Sequence, residues 1–173
     1  FIFNDANGDG TSFNVGAASR MRISSAGEVT MPLQPAFLTT PTSIQSNIAI
    51  NGLVTVLLGT EVFDVGANFA ANTFTAPVTG KYQLNTEIRL DNIDTAAVYY
   101  HLYLKTSNRV YHTILDPRVL ASDPAYWSVG LSTLADMDAG DTAYLAFYQS
   151  GGTAQTDING DAGQTLFSGY LAC

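Results

Sequence analysis

Charge is scarce in this chain. Only 13% of its 173 residues are Asp, Glu, Lys or Arg, about half the share of an ordinary globular domain. Positive charge is scarcer still. Seven Lys and Arg stand against 15 Asp and Glu, for a net charge of −8, and the only lysines are Lys81 and Lys105. A chain so poor in cations offers no basic stripe to a phosphate backbone or an anionic lipid surface, so neither nucleic acid nor a membrane surface is expected as a partner. Cysteine occurs once, as Cys173. That excludes an intrachain disulfide and a cysteine metal cluster, and we read it as a small apolar residue ending a strand. No apolar run approaches a membrane span and no signal peptide is visible, so membrane insertion is not expected. The chain begins at Phe1 rather than Met, which reads as a fragment of something longer.

Helical periodicity is missing too. Hydrophobic residues make up 46% of the chain, enough for a core, but they alternate with polar ones as strands require. In "KYQLNTEIRL", residues 81–90, Tyr82, Leu84, Thr86, Ile88 and Leu90 share one face. Lys81, Gln83, Asn85, Glu87 and Arg89 share the other, giving one buried and one wet side. Further strands are expected near 37–40, 44–50, 53–58, 73–76, 97–105, 109–115, 126–134, 142–149 and 165–172, separated by turns such as "VTGK", "TSNR", "DAGD" and "SGGT". Short strands at this spacing predict an all-β sandwich or barrel.

Some strands are apolar on both faces. "VYYHLYLK" places Val98, Tyr100, Leu102 and Leu104 on one side and Tyr99, His101 and Tyr103 on the other. An isolated sandwich keeps its outer faces polar, so a second cover from packed subunits is one reading. Exposed strand tyrosine is the other. Residues 1–31 are more polar and glycine-rich, with strand-like "SFNV", "RMRI" and "EVTM" around the turn "SSAGE". Pro32 and Pro35 then stiffen "MPLQPAF", which places a boundary near residue 33 between a thin segment, 1–33, and a main domain, 34–173. So short a segment cannot bury a core alone and would intertwine with other chains.

Several ordered motifs in the second region resemble the C1q-like domain, a ten-strand jelly roll related to the tumour necrosis factor fold. "NFAANTFTAPVTGKYQLNTEIRL" matches its aromatic, polar run and F-x-A-P-x-x-G-x-Y through Phe69, Phe74, Ala76, Pro77, Gly80 and Tyr82. "MDAGDTAYLAF" matches L-x-x-G-D-x-V-x-L at Gly140, Asp141 and Leu145, with Met137 and Ala143 in place of Leu and Val. "TLFSGYLAC" resembles the closing F-S-G-F/Y-L strand through Phe167, Ser168, Gly169, Tyr170 and Leu171. Gly169, inside a bulky strand, reads as a place where another backbone packs close. The resemblance implies a trimer. The first region resembles a segment of phage tail-fibre and tail-appendage proteins, a G-x-x-x-R-M-R-I core followed by S-x-G-x-V. The matches are Gly16, Arg20, Met21, Arg22, Ile23, Ser25, Gly27 and Val29, after which "TMP" departs from the family's G-I-G-T. Together these imply a trimeric jelly-roll head on a short β-rich fibre shaft: a non-enzymatic viral protein of the virion, extracellular, attaching to a host-surface glycan or protein receptor. A structural trimerisation clamp for a fibre and a secreted cellular C1q-like binding module are the alternatives.

No catalytic constellation stands out. His101 and His112 fall inside expected strands, no G-x-S-x-G elbow occurs, and Cys173 is poorly placed for a nucleophile. No catalytic, cofactor or metal residue is assigned, and the receptor-binding residues are left open. "NDANGDG", residues 4–10, carries Asp5, Asn7, Asp9 and Gly10 as in the first half of a calcium loop, but Gly16 stands where the closing Glu belongs. "DINGDAG" has Asp157, Asn159 and Asp161, with Ala162 and Ser168 at the positions that need Gly and Glu. Both read as polar turns, so no cofactor is expected, although a calcium ion shared within a trimer through Asp136, Asp138 or Asp157 stays open. Arg20 and Arg22 should share one shaft face, solvated or pairing between subunits. Tyr99, Tyr100 and Tyr103 suit sugar stacking or packing equally.

Overall fold

A computed structural model describes residues 3–4 and 10–173. Its first part is a small antiparallel sheet of β1 (Phe3–Asn4), β2 (Gly10–Val15), β3 (Ala18–Ser24) and β4 (Val29–Thr30), in that order. The turns fall at Gly16 and Gly27, whose φ of 64° and 95° suit a residue without Cβ. "RMRI" follows the pleat, with Arg20 and Arg22 exposed and Met21 and Ile23 half-buried. Phe13, Val15, Val29, Met31 and Leu33 keep between 36% and 66% of their surface exposed, so this sheet has no apolar cover of its own. Asp5, Asn7 and Asp9 of the first calcium-like stretch lie outside the described residues.

From Ala36 the alternating segments build a sandwich. They are β5 (Ala36–Thr40), β6 (Leu53–Thr55), β7 (Thr60–Asp64), β8 (Phe69–Ala70), β9 (Thr73–Thr75), β10 (Gly80–Asp91), β11 (Ala97–Thr106), β12 (Val110–Leu115), β13 (Tyr126–Met137), β14 (Thr142–Gly151), β15 (Asp157–Ile158) and β16 (Leu166–Leu171). One sheet runs β13-β10-β16-β5-β7, with β15 also on β10. The other runs β12-β11-β14-β9-β8, with β6 also on β14. Neighbours far apart in sequence, such as β5 and β16, pair antiparallel. This is the all-β jelly roll expected from the motifs.

The expected inner face of β10 is the core face: Tyr82, Leu84, Ile88 and Leu90 are fully buried. Each such side chain removed from water is worth about 1.5–3 kcal/mol. Across the gap Phe37 stacks on Phe74 at 4.6 Å, and within its own sheet it meets Phe167 of β16 edge-on at 5.0 Å. The one polar atom that Tyr82 brings inside is satisfied, its hydroxyl donating to the Val78 carbonyl at 2.8 Å. Gly169 also faces the core, but its crowding differs from the expectation of another backbone. A Cβ there would meet Leu84 Cδ2 at 2.6 Å and Phe37 Cε1 at 2.8 Å before the Gln83 carbonyl at 3.1 Å.

Several expected strands are corrected. Residues 44–50 form no strand: Asn47 and the nearby Asn51 adopt φ of 57° and 60°, outside the β region. That stretch touches the sheets only through the isolated bridges Gln45–Ile158 and Ile50–Gln149. The strand expected over 53–58 stops at Thr55. β7 was not expected, since an edge strand with Val62 and Phe63 both exposed carries no alternation. Asp157–Ile158, expected within a turn, pairs with β10 as β15. Val98 leaves the face assigned to it and is exposed, because a register shift between Ala97 and Tyr99 puts Ala97 in the core instead.

Candidate functional site

The outer face of the second sheet collects the side chains that sequence reading left unexplained. Tyr100, Leu102 and Leu104 point inward and are buried, so the pleat of β11 sends Tyr99, His101, Tyr103 and Lys105 outward. Register then builds rows across the strands. Tyr103 lies opposite His112 on β12 and Ala146 on β14, and His101 lies opposite Ile114 and Tyr148. Lys105 lies opposite Val110 and Tyr144. The rings of Tyr99 and His101 lie 4.7 Å apart and tilted by 31°, and those of Tyr99 and Tyr148 lie 6.1 Å apart at 29°. Ala146 is the small member of this grid, and beside it opens a shallow cavity of about 320 Å³ lined by Leu53, Tyr103, Lys105, Val110 and Tyr148.

His101 and His112, eleven positions apart in sequence, come within 5.3 Å of each other, ring centre to ring centre. Loss of hydration pushes the His101 imidazole below its ordinary value, and the neighbouring His112 pushes it further down. His101 Nδ1 and the Tyr103 hydroxyl share a 2.5 Å hydrogen bond. Burial raises the Tyr103 phenol first, the nearby Tyr99 and Tyr148 raise it more, and the Lys105 ammonium opposes them. Lys105 Nζ sits 5.5 Å from the Tyr144 ring centre. Of the three tyrosines expected to suit sugar stacking, Tyr99 and Tyr103 are on this face. Tyr100 is not: it is buried, and its hydroxyl accepts the Asp94 backbone N–H at 2.9 Å. Tyr144 and Tyr148 were missed as members of the face. Their signal lay in "AYLAFY", which is apolar on both faces and whose outward partners only the register reveals.

The carboxylates considered for calcium are dispersed among protein partners. Asp136 faces Arg109 at 3.3 Å, and its carboxyl is held low chiefly by that bond. Asp157 accepts the Asn47 backbone N–H at 2.6 Å and the Asn92 amide at 2.9 Å. Asn159 accepts the Asp161 backbone N–H and Asp161 accepts that of Gly163, both at 2.7 Å, which closes "DINGDAG" on itself as a turn. Near Asp138, Asp141 Oδ2 accepts the Asp138 backbone N–H at 2.8 Å and the Asn108 amide at 2.7 Å. Among the described residues no three His, Cys, Asp or Glu converge as a metal site. Sequence reading also missed Asp94. Although buried, its Oδ2 accepts the backbone N–H groups of Thr153 at 2.5 Å and Ala154 at 2.7 Å, and its Oδ1 that of Ala96 at 2.8 Å. Burial raises this carboxyl, but those bonds together outweigh burial and hold it below its ordinary value. It is a staple between loops.

No protein-family profile and no curated protein matches the chain. Solved structures do. The globular domain of zebrafish complement 1qA protein superimposes with a TM-score of 0.57 at 14% identity, covering 81% of this chain and 98% of that one. Murine APRIL at pH 8.5 gives 0.58 at 13% identity, covering 80% and 98%, and the same protein at pH 5.0 gives 0.57 at 15% identity, covering 80% and 98%. At such identities the likeness concerns the fold, and it is specific: the sandwich is a jelly roll of the C1q and tumour necrosis factor type.

Proposed function

We propose that this chain is a trimeric, non-enzymatic binding head of a viral tail fibre or appendage, carried on the virion and attaching it to a host-surface receptor. The observation that carries the trimer is the open side of the sandwich. β12 and β13 are the edge strands of their sheets, and the inward side chains Tyr111, Leu115, Val129 and Leu131 are only partly covered. Trp127, on the inward face of β13, keeps 39% of its surface exposed. Unpaired edges over a half-covered core call for a partner surface, and copies of the same chain supply one in a closed ring. The exposed apolar residues of the β1–β4 sheet fit the same reading, as side chains that a three-chain shaft would cover. The viral part rests on the "RMRI" segment ahead of the head. Binding without catalysis agrees with the fold neighbours, neither of which is described as an enzyme.

Light scattering on the purified chain tests the assembly, with a mass three times that of one chain expected and a stable monomer at micromolar concentration refuting it. Fibres lacking residues 34–173 test the role. They should still assemble but lose adsorption to cells; fibres that fail to assemble would make the head a folding clamp instead.

A further inference from the structure

We infer that the outer face of the β12-β11-β14-β6 sheet is a saccharide-binding platform, and that its ligand is a glycan carrying a carboxylate. This rests on the reading of the chain as a receptor-binding head and names the receptor's chemistry. Tyr99 stacks against both His101 and Tyr148, with ring centres 4.7 and 6.1 Å away and planes tilted by 31° and 29°, so the cluster offers its ring edges and outermost ring face to the C–H face of a pyranose. The dent beside Ala146, about 320 Å³, has room for a single sugar unit. Aromatic rings with polar tips suit a ligand that is apolar on its ring faces and hydroxylated at its edges. Among the described residues the hydroxyls of Tyr99, Tyr144 and Tyr148 make no hydrogen bond, so they are available to sugar hydroxyls. The Tyr103 hydroxyl is tied to His101 and holds that ring in place.

Charge selects among saccharides. The chain carries 15 acids against seven bases, yet the outward positions of these four strands hold no carboxylate. β11 offers Tyr99, His101, Tyr103 and Lys105, while β12 offers Val110, His112 and Ile114. β14 offers Thr142, Tyr144, Ala146, Tyr148 and Ser150, and β6 offers Leu53 and Thr55. A ligand carboxylate therefore meets no like charge on the face and finds one ammonium, Lys105, lining the dent. That complementarity favours an acidic glycan over a neutral one and over a basic peptide.

Saturation-transfer NMR and calorimetry on the intact chain, with 3′-sialyllactose and lactose as probes, test this. The acidic trisaccharide should bind, with lactose weaker by about tenfold or more. Tyr99→Ala and Tyr148→Ala should each weaken it by about tenfold, the worth of a lost stacking ring with its contact area. Lys105→Gln should abolish the preference for the acidic probe. Melting curves within a few degrees of wild type establish that the variants fold. No saturation transfer to either probe, equal binding of both probes, or variants that bind like wild type would overturn the inference. So would loss of the oligomer in Tyr148→Ala, which would make the face an interface between copies. Mass measured on the same sample keeps the two readings apart. A trimer without saccharide binding removes the platform and leaves the trimeric head; a monomer removes the latter.

Discussion

Gly169→Ala isolates one contact on which the sandwich depends. Gly169 sits in β16 between Leu84 on β10 and Phe37 on β5. The added methyl would lie 2.6 Å from Leu84 Cδ2 and 2.8 Å from Phe37 Cε1, well inside van der Waals contact. Neither neighbour has room to yield, since Leu84 and Phe37 expose 0% and 1% of their surface. Overpacking of this kind costs about 1–3 kcal/mol. At this chain length each kcal/mol lowers the melting temperature by about 2–4 °C, so a fall of about 2–12 °C is expected by calorimetry at matched protein concentration. Leu84→Val removes the closest atom. In the double variant the two losses should therefore sum to less than their separate values, by about 0.5–3 kcal/mol of coupling. A Gly169→Ala chain that melts with wild type would refute the account of the core. Strictly additive losses would refute Leu84 as the source of the strain.

Asp94→Asn should destabilise the fold at neutral pH by about 1.5–3 kcal/mol, the worth of hydrogen bonds to a charged acceptor. Because the folded carboxyl titrates below its ordinary value of 3.8, its contribution is complete above that value and is lost as pH falls through the folded one. Urea midpoints of wild type and variant should therefore converge in strong acid, and a constant gap would count against the loop staple. Tyr82→Phe should cost about 1 kcal/mol for its lost bond to Val78, seen as a lower urea midpoint at unchanged slope; equal stability would show that the bond adds nothing net. An NMR titration should find His101 below 6.5. His112→Gln should raise it part of the way back, leaving the larger effect of lost hydration. A neutral folded imidazole stabilises fully above 6.5 and loses that contribution as pH falls below it, and a His101 that titrates at or above 6.5 would contradict the packing of this face.

What was readable in the sequence follows from period. β10, β14 and β16 were foreseen because one side of each faces the core, so alternation is written into the residues. β7 was not, since neither Val62 nor Phe63 is buried and an edge strand leaves no pattern to find. Residues 44–50 carried apolar residues at strand-like spacing, yet the asparagines at 47 and 51 turn left-handed and break the ladder. The candidate site is a property of register. His101 reaches His112, and Tyr148 reaches Tyr99, only because β11 pairs with β12 and β14 in one particular alignment. No local rule connects His101 to His112, and a slip of either strand by one residue would send its own histidine inward and part the pair. The same holds for Gly169: its need for a bare backbone was visible from its bulky neighbours, but the atoms that impose it belong to strands more than eighty residues away.

The position of β5 has a mechanical consequence. It is the first strand of the sandwich, reached directly from the proline-rich linker, and it lies between β16 and β7 rather than at an edge. Tension arriving through the linker runs along the axis of β5, at right angles to the antiparallel hydrogen bonds on both of its sides. Those bonds are loaded together in shear instead of being peeled one after another. The strand through which the sandwich continues from the β1–β4 segment is therefore held on both sides against being drawn out lengthwise.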